Sequence, residues 1–491
     1  MIWSVLLIAG SAAASDIVVT VKISGGERPT ASVAGKFTNA EQRRNSKNFS
    51  FLRSVAGTDG LGKRITRVDL TGSDGKRLNH KQLIDGEFLA EGDIAGWSYV
   101  MDLTPPASQN SAAHVSWISN DAGILMLADL LPQFENGGSD VSARITFEFS
   151  GSINRLPIPT INTSEMPVAA STFDVPDIDS AIFYIGSNWK KIDLNGNSNP
   201  ADLIILDEWK FTPDEAADMV REIMNEYGLL FRAKPRQRPM IAIAKFPGNI
   251  QHGQWEAETR GRNVTIISSD MAFRTQSLQR LHEQLRHEIF HLWIPNGVNL
   301  SGNYDWFYEG FALYQSLKTA VGFNRIRFDD YLDTLSRAYS IANAGTNRTN
   351  LIEASTNRWS GSNTQIYARG MLVAFLADIS MLQSSGGKSS VSIISREVYT
   401  KHSFPNPRTE GNDAVLAVMR SRPELVPIID KYITGSETIE WTADLTAAGI
   451  EMTVESGRAV LQAVKKPRGR QKAILDKLGY NNWRKSAPKS K

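Results

Sequence analysis

Residues 281–291 read LHEQLRHEIFH, and no other stretch of the chain constrains its fold as strongly. His287 and His291 are four residues apart, which on an α-helix is about 400° of rotation, so both imidazoles leave one face a turn apart. Two imidazoles side by side can hold one metal ion. Glu288, about 100° round the same helix, can reach a water on that ion without being a ligand. The chain must therefore build a helix here and pack a further ligand against it. The earlier dipeptide, His282-Glu283, cannot do the same, because the residue four places after His282 is Arg286, a cation. His282 is expected on the helix surface.

A catalytic zinc site takes three protein ligands and leaves a fourth position for water. The chain has no cysteine, which excludes thiolate ligands, a cysteine nucleophile and any disulfide framework. No histidine follows His291 until His402, so the third ligand is not a nearby imidazole. The zinc helix is expected to end at Pro295-Asn296-Gly297, and the chain to return in a second helix carrying WFYEGFALY. Glu309 on that helix is the expected third ligand. The candidate site is one zinc ion on His287, His291 and Glu309, with Glu288 as the base.

A chain of 491 residues is too long for one hydrophobic core, so several domains are expected. Apolar residues at 41% and charged ones at 22% describe a globular protein. A net charge of +2 supplies no global field for nucleic acid. The first 14 residues, MIWSVLLIAGSAAA, combine a short apolar run with small residues and predict a cleaved signal peptide, hence an exported, periplasmic or secreted protein. No integral membrane segment is expected after its removal.

Residues 15–165 hold short β-prone runs (IVVTVKI, ITRVDL, GWSYVMDL, ILMLADLL, VSARITFEF) and predict a β-sandwich-like domain. The proline-bearing stretch IPTINTSEMPVAASTFDVPD is read as a linker. Residues 166–385 alternate strands and helices, beginning with the strand AIFYIG and including a helix from PDEAADMV that Thr212 caps, and predict an α+β domain that carries the candidate site. A helical region over 386–455 and a basic tail over 456–491, containing KKPRGRQK, complete an α+β multidomain chain.

HEIFHLW followed by WFYEGFALY resembles the gluzincin metallopeptidases, especially the aminopeptidase N and glycyl aminopeptidase families. The resemblance covers about residues 110–452 and implies a thermolysin-like catalytic domain over residues 166–385 and a zinc-dependent peptidase acting on a peptide or protein substrate, most readily an aminopeptidase of glycyl or alanyl type. It also implies a tyrosine that bonds the oxyanion, since Tyr367-Ala-Arg-Gly is similar to the Tyr-x-Lys-Gly segment of these families. Their amine-binding edge-strand motif corresponds to Gly253 and Glu256 in HGQWEAETRG, with Trp255 and Ala257 departing from the family pattern. For Glu256 two readings stand, an anchor for the substrate amine and a solvated loop acid. A thermolysin-type endopeptidase, or a surface-binding protein with a silent zinc fold, are the alternatives to the aminopeptidase.

Overall fold

The computed structural model describes residues 15–38, 47–119, 122–134, 140–150, 158–159, 171–186, 188–196, 198–248, 250–344, 349–455 and 458–481. The expected signal peptide and most of the expected linker lie outside the described residues. The chain divides into two compact units, residues 1–189 and 190–491.

In the first unit, β1 (Ile17–Ser24), β2 (Thr30–Phe37), β3 (Ile65–Thr71), β4 (Arg77–Leu78), β5 (Gly96–Asp102), β6 (Ala143–Ser150) and β7 (Thr172–Val175) form one sheet in the order β7-β6-β1-β2-β5-β3-β4. All its pairings are antiparallel except β1 with β6. Ile17, Val19, Val21 and Ile23 alternate with more exposed neighbours and are 0% exposed, the period-2 pattern of a strand with one buried face. A second sheet contains Trp117–Ser119, Ala122–Met126, Ile158–Pro159 and Ile182–Ile185. Phe147 of the first sheet and Phe183 of the second meet edge-on with centroids 4.8 Å apart, so the core lies between two sheet faces.

Three segments behave differently from their sequence reading: the described ends of the stretch read as a linker are strands, Ile158–Pro159 in the second sheet and β7 paired with β6 in the first. The strand read from AIFYIG pairs with Ala122–Met126 and belongs to this unit. The run ILMLADLL is a strand only to Met126 and then makes one helical turn, Leu127–Leu130. The turn puts buried Asp129 where its carboxylate accepts hydrogen bonds from Arg64 at 3.0 Å and from the Ser116 amide at 2.6 Å.

In the second unit, β8 (Lys190–Asp193), β9 (Asp202–Ile205), β10 (Met240–Lys245), β11 (Trp255–Arg260) and β12 (Asn263–Ser268) form a mixed sheet in the order β8-β9-β10-β12-β11. β9, β10 and β12 run parallel and are almost wholly buried, while β11 is an antiparallel edge strand. Its longer helices include α1 (Pro213–Phe231), α2 (Arg274–Phe290), α3 (Asp305–Gly322), α4 (Phe328–Ala342) and α5 (Asn363–Ser384), followed by Ser392–His402 and Gly411–Arg420. Thr212 caps α1 in a reciprocal box with Glu215, and Pro213 fills the first position, where a missing N–H costs nothing. α5 is long and apolar enough to cross a membrane by composition alone, but 83% of its most apolar window is buried inside the unit, as befits a core helix.

The crossing of α3 and α5 is set by two glycines. A Cβ on Gly310 would lie 2.4 Å from the carbonyl carbon of Gly370, and one on Gly370 would lie 2.5 Å from the Trp306 oxygen. The two backbones therefore touch, and Glu309 and Tyr367 are carried to this crossing by their neighbouring glycines.

Of the stretch expected as a basic tail, the described residues 458–481 are folded onto the unit. β13 (Ile450–Glu455) and β14 (Arg458–Ala463) form a hairpin, and α6 (Gly469–Leu478) buries Ile474, Leu475 and Leu478 in the unit's core. Three apolar residues at helical spacing suffice to dock a short helix whose other positions are mostly charged.

Candidate metal centre

Regular α2 ends at Phe290, and residues 291–297 continue as turns. The backbone tightens there: the His291 amide bonds the Glu288 carbonyl at 3.1 Å and the Leu292 amide bonds Ile289 at 3.2 Å. His291 keeps right-handed dihedrals (φ −66°, ψ −13°), so the four-residue relation to His287 survives the end of the regular helix.

His287, His291 and Glu309 are buried, and their donor atoms lie within 4.8 Å of one another. The two Nε2 atoms are 3.2 Å apart; Glu309 Oε2 is 3.2 Å from His287 Nε2 and 3.5 Å from His291 Nε2. Ligands at 2.0–2.1 Å around a tetrahedral ion are separated by about 3.3 Å, so the three atoms already form one face of such a tetrahedron. His291 Nδ1 lies 3.0 Å from the Ile294 carbonyl, which can only accept, so a neutral His291 carries its proton on Nδ1 and turns a lone pair inward. His287 Nδ1 is buried with no hydrogen-bond partner among the described residues.

The electrostatics call for a cation. Burial disfavours a charged His291, but the carboxylates of Glu309 and Glu288 outweigh it and hold its pKa above the ordinary value. Burial likewise opposes ionised Glu309, yet Arg358 and the two imidazoles keep it well below the usual carboxylate range. A carboxylate and two convergent imidazole lone pairs, all dry, are a donor set for a divalent transition ion.

Glu288, 4% exposed, accepts a hydrogen bond on Oε2 from the Thr259 hydroxyl at 2.8 Å, while its Oε1 lies 4.0 Å from His287 Nε2. Tyr367, at the start of α5, lies with its ring 6.2 Å from that of His287. Burial first, and the Glu309 charge second, push its phenol well above the ordinary range, so it is a neutral donor at pH 7. The fold thus brings His287, Glu288, His291, Glu309 and Tyr367 together.

Glu256 and Gly253 are placed differently. β11 pairs with β12 in unbroken register, Trp255 opposite Ser268 through Arg260 opposite Asn263. Side chains on a strand alternate, so Thr259, which reaches Glu288, shares its face with Ala257 and Trp255. Glu256 leaves from the opposite face, together with Glu258, which pairs with Arg260 at 2.7 Å. The register therefore does not aim Glu256 at Glu288. Gly253 precedes the strand with φ +84°, against Met271.

His282 also departs from its expected place. It is 1% exposed, its Nε2 lies 3.1 Å from Glu222 and its Nδ1 accepts from Arg286. Desolvation dominates and lowers its pKa to about 4. The arginine that disqualifies this pair as a metal site is what fixes the ring.

Sequence reasoning missed Thr259 and Arg358. Strand alternation on β11 could have found the first. Arg358 lies in a polar loop with no periodicity to single it out, yet its guanidinium reaches Glu309, Tyr367 and Asp305.

No protein-family model matches the sequence, and no curated protein is significantly similar to it. The fold has solved counterparts. A crystal structure of an aminopeptidase N family protein from Idiomarina loihiensis superposes with a TM-score of 0.71 at 14% identity, over 89% of this chain and 79% of that one. The chain therefore has an aminopeptidase N-like, mixed α+β fold.

Proposed function

We propose that this chain is a zinc-dependent peptidase, on the strength of one observation: three buried donor atoms converge as one face of a tetrahedron beside a carboxylate and a phenol. His287, His291 and Glu309 hold the ion. When bound, zinc supplies a Lewis acid that polarises a peptide carbonyl and acidifies a water. Glu288 takes the proton from the attacking water and passes it to the leaving amine; Thr259 occupies its Oε2 and leaves Oε1 on the side of the histidines. Tyr367 donates its hydroxyl proton toward the negative charge that develops on the carbonyl oxygen.

Within this reading we place the chain among aminopeptidases, supported by the likeness of its fold to an aminopeptidase N family protein. The direction of Glu256 on β11 favours the second reading, an endopeptidase of thermolysin type without that anchor. Hydrolysis of an alanine- or glycine-led peptide, beside its N-acetylated twin, by zinc-loaded protein decides. Cleavage of the free peptide alone supports the aminopeptidase, equal cleavage of both supports the endopeptidase, and cleavage of neither refutes the peptidase.

A further inference from the structure

We propose that Arg358 is the positioning residue of this centre, orienting the carboxylate of Glu309 and the phenol of Tyr367 through one shared nitrogen. The inference rests on the zinc-peptidase reading for its chemistry, though not for its geometry. Arg358 opens the short turn Arg358–Ser360 ahead of α5, and its side chain is 14% exposed. Its Nη2 lies 2.9 Å from Glu309 Oε1 and 2.8 Å from the Tyr367 hydroxyl. Nη1 lies 2.8 Å from Asp305 Oδ1 and 3.3 Å from the Tyr308 hydroxyl, and Nε lies 3.2 Å from Asn363 Oδ1. The Trp359 ring covers the guanidinium at 4.4 Å. Every edge of the fork is engaged, so its plane cannot turn without breaking several bonds.

Two consequences follow from the shared nitrogen. Glu309 spends Oε1 on Arg358, which leaves Oε2 facing both histidines, at 3.2 and 3.5 Å. The carboxylate thus presents a single oxygen to the metal position. A guanidinium only donates, so the Tyr367 oxygen accepts from it, and the tyrosine's own proton must point elsewhere. A partner for Asp305 alone would need one nitrogen; Arg358 uses the other to couple a metal ligand to an oxyanion donor. Lysine, a point charge without the planar fork, cannot hold this set of partners in one orientation.

The test compares Arg358→Ala and Arg358→Lys, each alone and combined with Tyr367→Phe, in the full chain. One readout needs no activity: the visible spectrum of the Co2+-loaded protein and zinc affinity by chelator competition. The expected result is a changed Co2+ spectrum and a zinc affinity altered about ten- to hundredfold, as for other partners of metal ligands, in both single Arg358 variants. On peptide, kcat falls by a similar factor with KM nearly unchanged, free guanidinium ion partly restores Arg358→Ala, and the loss shrinks in the Tyr367→Phe background. An unchanged Co2+ spectrum with losses that simply add in the double variant would overturn the proposal and reduce Arg358 to a brace for its turn. Should Arg358→Ala not fold, Arg358→Gln carries the same readings. A wild-type protein that cleaves no peptide sinks the peptidase reading, while the Co2+ and zinc titrations still decide the role of Arg358.

Discussion

Replacing Gly310 with alanine sets two effects of opposite sign against each other. Alanine is a better helix former than glycine by about 1 kcal/mol in a helix interior, and Gly310 lies inside α3. The added methyl, however, would sit 2.4 Å from the backbone of Gly370, where ordinary van der Waals contact begins at 3.4 Å. The helices must part by roughly 1 Å, since backbone cannot swing aside as a side chain can, and overpacking of this kind costs about 1–3 kcal/mol. The net stability loss is therefore modest, about 2 kcal/mol at most. The effect on the centre is larger, because Glu309 rides on α3, which α5 presses toward the α2 that carries both histidines, and such a constellation tolerates displacements of only about 0.5 Å. Zinc affinity, read by chelator competition, should fall at least tenfold in Gly310→Ala while the unfolding midpoint of the apo protein drops only slightly. Gly322→Ala is the control: the same substitution at the end of the same helix, with nothing within 4 Å of the new methyl. It should leave zinc affinity alone. Wild-type zinc affinity in Gly310→Ala, or a rise in its stability matching the control, would refute the claim that backbone contact at this crossing positions the ligand.

Glu288→Gln should keep zinc at wild-type stoichiometry, measured by metal analysis, and lose about 10²–10⁴ in kcat; full activity would remove Glu288 from the role of base. His282 makes stability depend on pH. Its folded pKa of about 4 lies below the ordinary 6.5, so the folded state resists its protonation: the stabilisation is complete above 6.5 and drains away as pH falls toward 4, by roughly 3 kcal/mol in total. Urea midpoints at pH 7 and pH 5 should differ less in His282→Gln than in the wild type; an equal difference would mean that this ring does not titrate on unfolding.

How far the sequence foretold the centre depends on the distance over which each contact is encoded. The relation of His287 to His291 is local, four residues on one helix, and could be read outright. The capping of α1 by Thr212 is equally local, and so is the alternation that buries every second residue of β1. Glu309 needed one further step, a helix returning after a loop. Arg358 is 49 positions beyond Glu309 and meets it only because α3 and α5 cross at Gly310 and Gly370, so nothing near it in sequence announces its role. The C-terminal helix was hidden for a different reason: dense lysine and arginine obscure Ile474, Leu475 and Leu478, and only a partner surface gives those three their meaning.

The two His-Glu dipeptides make the same point within one helix. They are five residues apart, about 140° of rotation once full turns are removed, so they cannot face the same neighbours. One turns toward α3 and meets a carboxylate; the other meets Glu222 of α1 and is capped by the arginine one turn along its own helix. Both histidines end up buried, so burial does not separate ligand from structural histidine. What separates them is whether a cation is already present. Arg286 supplies one beside His282, which leaves no place for a metal. Beside His287, Arg358 binds Glu309 from the side away from the histidines, so the face between the three donors stays negative and a metal ion can complete it.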